Sequence, residues 1–182
     1  MIDFKRNKIH IPPLYIKGEE VERVSEYKYL GTLIDNKLSF DQNTDSIHKK
    51  CRQRLYILYS LRSLRVDAKI LQRCYEAFIM SVLSFSLVCW YGCLNERQKR
   101  RLNGNVRLCA KIVGGEQIPL GDIYKQRASM KAVRMKSDST HVLSKFFDEL
   151  PSGRRMRTLK CNTKRFKNTF IPSAVSMLNS LH

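Results

Sequence analysis

"NTDSIHKKCRQRLYILYSLR", residues 43–62, is the stretch that decides the fold. Its apolar side chains recur every three or four residues, which is the spacing along one face of an α-helix. Either Asn43 or Thr44 can cap the N-terminus of this helix. The stretch therefore predicts a helix with one buried face and a basic surface. The apolar positions are Ile47, Cys51, Leu55, Leu58 and Leu61.

Three further helices are predicted downstream of this stretch. Asp67 offers an N-cap for a helix over about residues 68–91, which is apolar nearly all round from residue 77 onward and is therefore expected at the centre of the fold. A third helix opens after Asn95 and ends at Gly114-Gly115, and a fourth covers about residues 120–136. Residues 43–136 thus predict a helical bundle.

A small β element is predicted upstream of the bundle. Two extended runs, residues 14–17 and 21–33, are separated by Gly18-Glu19-Glu20, which is a hairpin signal and gives two or three strands. We predict a fold that is mainly α with a small N-terminal β-hairpin. Its three parts are a hairpin at 1–42, a helical bundle at 43–136 and a basic C-terminal region at 137–182.

The C-terminal region begins with a loop that contains a short helix, up to residue 150, and continues through a turn at Pro151-Ser152-Gly153. Residues 151–182 then hold seven Lys and Arg side chains and no Asp or Glu. We expect this tail to dock on the helices by an apolar side and to show its cations outward. That apolar side consists of Met156, Leu159, Phe166, Phe170, Ile171, Val175 and Leu178.

The charge of the chain points to a polyanionic partner. The 182 residues carry 34 Lys and Arg against 16 Asp and Glu, a formal net charge of +18. This excess is graded, because residues 1–42 are neutral overall and residues 151–182 carry only positive charge. A strongly basic domain favours nucleic acid, whose phosphates Lys and Arg bind with little dependence on sequence. RNA or DNA phosphate backbone is therefore the predicted partner.

Three clusters of cations are the candidate nucleic-acid-binding residues. They have no compensating acids in the pattern, and Arg suits paired phosphate oxygens because its guanidinium is a planar fork. The alternative is that they form ordinary solvated helix faces. The clusters are Lys49, Lys50, Arg52 and Arg54, then Lys99, Arg100 and Arg101, and in the tail Arg154, Arg155, Arg157, Lys160, Lys164, Arg165 and Lys167.

The six cysteines indicate a reducing compartment. They lie mostly within apolar helical patterns, the chain opens with no secretory signal, and no Cys-x-x-Cys pair is present. We expect buried thiols and an intracellular location, nuclear or cytoplasmic. Cys89 and Cys93 form half of a metal-binding pattern, but no second pair follows at zinc-finger spacing, so we expect no metal and no cofactor.

An uncharged stretch of 18 residues, 77–94, is at the short end of what a bilayer span needs. It contains Ser81, Ser84 and Ser86 and is flanked by charged amphipathic helices. We therefore interpret it as a central helix of the domain and expect no membrane partner.

Aromatic side chains at helical spacing have two interpretations. They can stack on nucleic-acid bases, as aromatic platforms do. At this spacing they more often form the core, and we predict the core for them. They are Tyr56, Tyr59, Tyr75, Phe78, Phe85, Trp90 and Tyr91.

The blocks of this chain resemble, in content, order and spacing, the extreme C-terminal part of fish-type non-LTR (LINE-like) retrotransposon reverse transcriptases. The resemblance covers nearly the whole chain and includes the ending "LPSGRR…R…R…F…FIP…LN". The other blocks that carry it are "VERVSEYKYLGTLIDNKLSF", "KKCRQRLYILYSLR", "AFIMSVLSFSLVCWYG" and "IYKQRASMKAVRMKSDSTHVLSKFFDEL".

The resemblance implies a place within a longer enzyme. The hairpin with "KYLG" would be the edge of the palm, the helices from Asn43 a thumb-like bundle, and the tail a holder of nucleic acid. A reverse transcriptase needs an Asp-Asp pair and a third Asp to hold two Mg²⁺ ions, and this sequence has no Asp-Asp pair. Asp35, Asp41 and Asp45 are scattered at turn and cap positions, where we interpret them as solvated caps. We therefore expect a non-catalytic fragment that begins just after the catalytic motifs.

A second resemblance covers about residues 46–87, which are similar to a segment labelled as the N-terminal domain of an AlkB-type tRNA-modifying protein. It implies an accessory module for tRNA modification. The residues lack the chemistry of that name, because an AlkB-type iron site needs His-x-Asp and a distal His. The residues two after His10, His48 and His141 are Pro12, Lys50 and Leu143, and His182 is terminal.

A third alternative is a structural or decayed product with no selected function.

Overall fold

The computed structural model describes residues 1–5 and 12–180, and it is mainly α with two small antiparallel hairpins near the N-terminus. The predicted fold class is thereby confirmed. The helices, in chain order, are α1 Asp41–Ser63, α2 Ala68–Tyr75, α3 Ser81–Leu83, α4 Leu87–Trp90, α5 Glu96–Val113, α6 Leu120–Ser137, α7 Lys164–Lys167 and α8 Phe170–Asn179.

The two hairpins differ from the prediction in their turns. Strand β1, Tyr15–Ile16, pairs with β2, Glu19–Glu20, and β3, Glu26–Tyr29, pairs with β4, Thr32–Asp35. Glu19 and Glu20 are therefore strand rather than turn, and the predicted run 21–33 is interrupted. Both turns have positive φ at their two central residues, which is the type I′ geometry that matches strand twist. These residues are Lys17 and Gly18, with φ 53° and 84°, and Leu30 and Gly31, with φ 44° and 86°.

Helix α1 begins at Asp41, two residues before the predicted cap. Asn43 and Thr44 lie inside the first turn and are buried, so the prediction that either one caps the helix is wrong. The Asn43 side-chain oxygen instead accepts a hydrogen bond from the Leu33 backbone N–H, at 3.2 Å. This contact fastens β4 to the start of α1, because it satisfies a strand amide from a helix side chain.

The apolar stretch that follows is not one continuous helix. Asp67 caps α2 as predicted, since its carboxylate accepts from the Lys69 backbone N–H at 2.8 Å. Glu76–Met80 then forms a π turn. The helix is interrupted after α3, where Ser86 has a positive φ of 48°. Two side chains supply hydrogen-bond partners at this break. Arg127 of α6 donates to the Ser84 carbonyl at 2.9 Å, and Trp90 Nε1 of α4 donates to the Phe85 carbonyl at 3.0 Å.

This stretch, Ala68–Cys93, is long and apolar enough to cross a membrane by length and composition alone, among the residues the structure describes. Core helices of globular proteins pass the same test. Leu83, Leu87 and Trp90 are buried, as expected of a central helix. Only 33% of its apolar window is buried, however, so the stretch is apolar on its outer side as well.

Helices α5 and α6 follow the prediction closely. Asn95 caps α5 in a capping box with Gln98, and Gly114 ends the helix with φ 85°. The core lies where α1 packs against α5 and the apolar stretch. The largest wholly buried members include Leu58, Leu71, Ile79, Leu83, Trp90 and Leu102.

The C-terminal tail docks on α6. Helix α8 packs against α6, and a short 3₁₀ turn, Ser144–Phe147, packs there as well. A second apolar cluster results, made of Ala132, Met135, Phe147, Met156, Ala174, Val175 and Leu178. The predicted turn at residues 151–153 is present, with the Gly153 N–H donating to the Leu150 carbonyl at 2.8 Å. Two residues of the predicted apolar side depart from it in the described chain: Phe166, because 45% of its surface is exposed, and half-buried Leu159, because it lies outside both apolar clusters.

The thiols agree with the prediction in part. All six cysteines lie in the described chain and are free of disulfides. Cys51 and Cys109 are buried in the core, and burial raises the pKa of each thiol to about 12. Cys89 is exposed, contrary to the expectation of buried thiols, because it falls on the outer side of the apolar stretch.

Candidate functional site

A basic cleft of about 540 Å³ lies where three distant parts of the chain meet. Lys37 comes from the loop between β4 and α1, Lys99 from the first turns of α5, and Lys164 and Arg165 from α7. Among the described residues that line it, Glu96 is the one acid. The cleft therefore joins part of the predicted α5 cluster to part of the predicted tail.

Asp35 shapes the loop that carries Lys37. Its carboxylate accepts hydrogen bonds from the backbone N–H groups of Lys37, Ser39 and Phe40, at 2.9, 3.1 and 2.7 Å. Burial acts to raise the pKa of Asp35, but these backbone hydrogen bonds outweigh it and hold the pKa below its ordinary value. Asp35 is therefore a half-buried organiser of the loop, and its interpretation as a solvated cap is wrong.

The start of α5 is fastened to the same loop. The Gln98 side-chain amide donates to the Asp41 carboxylate at 2.6 Å and to the Ser39 carbonyl at 3.2 Å. Lys99 pairs with Glu96 at 3.0 Å, and the hydrogen bond from Lys99 lowers the pKa of the Glu96 carboxyl. The Gln98 hydrogen bonds join the two walls of the cleft, so its shape does not depend on contacts of its cations.

The basic residues of α1 and α5 also meet at the contact between these helices. Arg101 forms an ion pair with Asp45 of α1, and the half-buried His48 lies beside it, with Nδ1 3.1 Å from the Asn105 side-chain nitrogen. Burial, followed by the positive charges of Arg101 and Arg52, lowers the pKa of His48. The ion pairs of Lys99 and Arg101 show that the predicted absence of compensating acids is wrong.

The remaining α1 cations lie on two sides of the helix. Lys49 and Arg52 are exposed, whereas Lys50 and Arg54 line a second cleft. Arg54 is half-buried and donates to the Phe78 carbonyl at 2.6 Å. Arg100 is exposed on α5, and its Nε donates to the Glu96 carbonyl at 3.3 Å.

The tail cations divide into two groups. Arg154, Arg155 and Arg157 are exposed on a hairpin that is closed by backbone hydrogen bonds, one from Leu150 to Arg155 and one from Arg157 to Asp148, both 2.8 Å. These three do not line the basic cleft. Lys160 and Lys167 are also exposed, while Lys164 and Arg165 are in the cleft.

Sequence reasoning missed two sets of cations. Lys37 had no signal, because its position depends on the Asp35 hydrogen bonds. Arg127, Lys131 and Arg134 line a third cleft on α6, of about 460 Å³. Their spacing of four and three residues was the available signal, since it places them on one helix face.

Some of the seven aromatic residues at helical spacing are buried in the core and others are exposed. Tyr75, Trp90 and Tyr91 are buried in the core, as predicted. The other four are exposed, and the core prediction is wrong for them. They are Tyr56, Tyr59, Phe78 and Phe85.

Metal-binding groups of three or more His, Cys, Asp or Glu side chains are absent from residues 1–5 and 12–180. His10 and His182 lie outside these residues. His141 uses Nδ1 to accept a hydrogen bond from the Leu143 N–H, at 3.1 Å. Asp41 and Asp45 are exposed near the start of α1, as expected of solvated residues, but neither caps the helix, whose N-cap is Phe40 with no side-chain cap hydrogen bond.

Comparison with known proteins gave no match to a family model, a curated protein or a solved structure.

Proposed function

We propose that this chain binds RNA or DNA through the phosphate backbone, without sequence specificity and without catalysing a reaction. The observation that carries the proposal is the basic cleft, in which Lys37, Lys99, Lys164 and Arg165 converge from three parts of the chain. Cations on phosphate release condensed counterions, so such a surface binds nucleic acid with an affinity that falls as salt rises.

The arrangement of the cleft supports a phosphate ligand in particular. Lys37 and Lys99 lie on a loop and a helix that the hydrogen bonds of Asp35 and Gln98 hold together, so little backbone entropy is lost when these two cations bind. The N-terminus of α5 also lies at the cleft, and its partial positive charge favours an anion there. One of its backbone N–H groups, that of Gln98, is already bonded to the Asn95 side chain. With a net charge of +18, the rest of the surface adds long-range attraction.

The resemblance to the C-terminal part of LINE-like reverse transcriptases agrees with this proposal. In that context α1 and α5 would belong to a thumb-like bundle and the tail to a nucleic-acid clamp, in a chain that supplies binding and leaves chemistry to a longer parent protein. Two alternatives remain. A folded chain that binds no nucleic acid at low salt would favour the absence of any selected function, and an oxygenase domain with His-x-Asp fused to this chain would favour the AlkB-type accessory role.

Charge reversal in the tail tests whether its exposed arginines contribute. We expect Arg154→Glu, Arg155→Glu and Arg157→Glu together to weaken binding of a labelled single-stranded RNA about 5- to 25-fold at 0.1 M salt. The estimate assumes one or two phosphate contacts, each worth about 0.7 in log K at that salt concentration. Fluorescence anisotropy of the full chain measures the affinity.

The point variant is preferable to deleting residues 151–182, because deletion would also remove Met156, Val175 and Leu178 from the second apolar cluster. The matched control reverses three exposed cations elsewhere, Lys69, Arg73 and Lys111. Unchanged affinity in the folded tail variant would exclude the tail hairpin from the interface.

A further inference from the structure

A second cleft, of about 390 Å³, lies between the turn of β3 and β4, helix α1 and the break after α3. We call it the aromatic cleft, and its lining includes Asn43, Lys50, Arg54, Phe85 and Trp90. Its volume is within the range of about 300–1,000 Å³ over which protein pockets hold small molecules. None of these side chains belongs to the basic cleft.

Asn43 brings an unused hydrogen-bond donor to this cleft. The residue is only 4% exposed, its Oδ1 accepts from the Leu33 N–H, and its Nδ2 has no hydrogen-bond partner among residues 1–5 and 12–180. Buried polar atoms in proteins nearly always have a partner. An unpaired donor that lines a cleft is therefore suited to an acceptor on a ligand.

Phe85 brings an open aromatic ring to the same cleft. Phe85 lies at the break after α3, where its carbonyl accepts a hydrogen bond from the Trp90 indole N–H at 3.0 Å. The side chain of Phe85 remains open, because 51% of the residue's surface is exposed. A Cβ on Gly31 would come within 3.1 Å of the Phe85 ring, so the hairpin turn backs one edge of the ring while the remainder stays open. The break thus presents an exposed ring in a fixed position.

Two cations, Lys50 and Arg54, also line the aromatic cleft. Lys50 is exposed on α1, and Arg54 is held by the Phe78 carbonyl at 2.6 Å. A stacking surface, a donor for a base acceptor and a cation for phosphate are the three features that proteins use to bind an unpaired nucleotide. An apolar small molecule would leave Asn43 Nδ2 unpaired, and a plain anion would leave Phe85 unused.

We propose that the aromatic cleft binds one unpaired nucleotide of a single strand. The base stacks on Phe85 and accepts a hydrogen bond from Asn43 Nδ2, and its phosphate lies near Lys50. This inference rests on the proposed nucleic-acid binding and adds to it a preference for single strands, because a base inside a duplex cannot reach Phe85.

The test compares a labelled oligothymidylate with a blunt DNA duplex of the same length, using the full chain and fluorescence anisotropy. Phe85→Ala is expected to weaken binding of the single strand about 5- to 100-fold, the loss expected for one stacked base, and to leave duplex binding unchanged. The matched control is Tyr56→Ala, which removes an aromatic ring that is 75% exposed on α1 and outside the cleft.

Two further readouts separate binding from folding. Asn43→Asp keeps an acceptor for the Leu33 N–H and replaces the free donor with a carboxylate, which is expected to weaken single-strand binding several-fold. A circular dichroism spectrum equal to that of the wild type shows that the variant is folded. Trp90 is the one tryptophan of the chain and forms part of the cleft wall while itself buried, so its emission reports a change in the packing around it when the cleft is filled. We expect oligothymidylate to change Trp90 emission and the duplex to leave it unchanged.

Equal loss of single-strand and duplex affinity in Phe85→Ala overturns this inference, as does oligothymidylate binding that leaves Trp90 emission unchanged. In both cases the basic cleft can still bind nucleic acid and the proposed function stands. If the wild-type chain binds neither probe at low salt, both proposals fail.

Discussion

Reversing the charge of the basic cleft is expected to weaken single-stranded RNA binding about 100-fold at 0.1 M salt. The variant carries Lys37→Glu, Lys164→Glu and Arg165→Glu. Each phosphate contact on a single strand contributes about 0.7 to log K at this salt concentration, so three lost contacts remove about two decades. Lys99 is left in place because it pairs with Glu96 and lies over the Tyr91 ring.

A matched variant separates the cleft from the overall charge. Lys69→Glu, Arg73→Glu and Lys111→Glu also change two lysines and one arginine, so the two variants have the same net charge. These three lie toward the other end of α5, which has 18 residues and is therefore about 27 Å long. We expect this distal variant to bind within about fivefold of wild type. An equal loss of RNA affinity in both variants would show that the affinity comes from the overall positive charge, and would contradict a specific role for the basic cleft.

Leu58→Ala is expected to lower the free energy of unfolding by about 2–5 kcal/mol. Leu58 is fully buried on the face of α1 that contributes to the core, and truncation leaves a cavity between well-packed neighbours. Its neighbour Ile57 is 40% exposed and supplies the matched control. Ile57→Ala removes a similar apolar volume from the surface and is expected to cost less than about 1 kcal/mol. Urea denaturation followed by far-UV circular dichroism measures both values.

Comparing Leu58→Ala with Ile57→Ala tests which face of α1 is buried. A shift of one residue in α1 would exchange the environments of Leu58 and Ile57, and would also turn Lys50 and Arg54 away from the aromatic cleft. A cost for Ile57→Ala equal to that for Leu58→Ala would contradict the described packing. The binding surfaces depend on the same register, so the stability measurement bears on them as well.

Helices α1, α5 and α6 could be predicted from the sequence because their determinants are local. Apolar periodicity fixes the buried face of α1, Asn95 and Gln98 form a cap within four residues, and Gly114 ends α5 by adopting a left-handed conformation that glycine accepts without strain. The apolar side of the tail could also be predicted, with the exceptions of Phe166 and Leu159. Each of these features depends on side chains within a few residues of one another.

The remaining features depend on contacts across the chain. The break after α3 is accompanied by a hydrogen bond from Arg127, 43 residues away from Ser84. The turn at Leu30-Gly31 lacks the Asn-Gly or Asp-Gly pair that usually marks its type. The basic cleft joins Lys99 to Lys164, which no periodicity could bring together. The sequence therefore shows where cations cluster along the chain but not which of them share a surface.

The salt dependence of binding tests the central claim most directly. Affinity of the wild-type chain for two single-stranded RNAs of unrelated sequence would be measured by anisotropy over a range of salt concentrations. We predict that log K falls linearly with log salt concentration, with a slope of about −2 or steeper, as three or more phosphate contacts require, and that both RNAs give the same line. A slope near zero, or no binding by the folded chain at low salt, would contradict the claim that this chain binds nucleic acid through its cations.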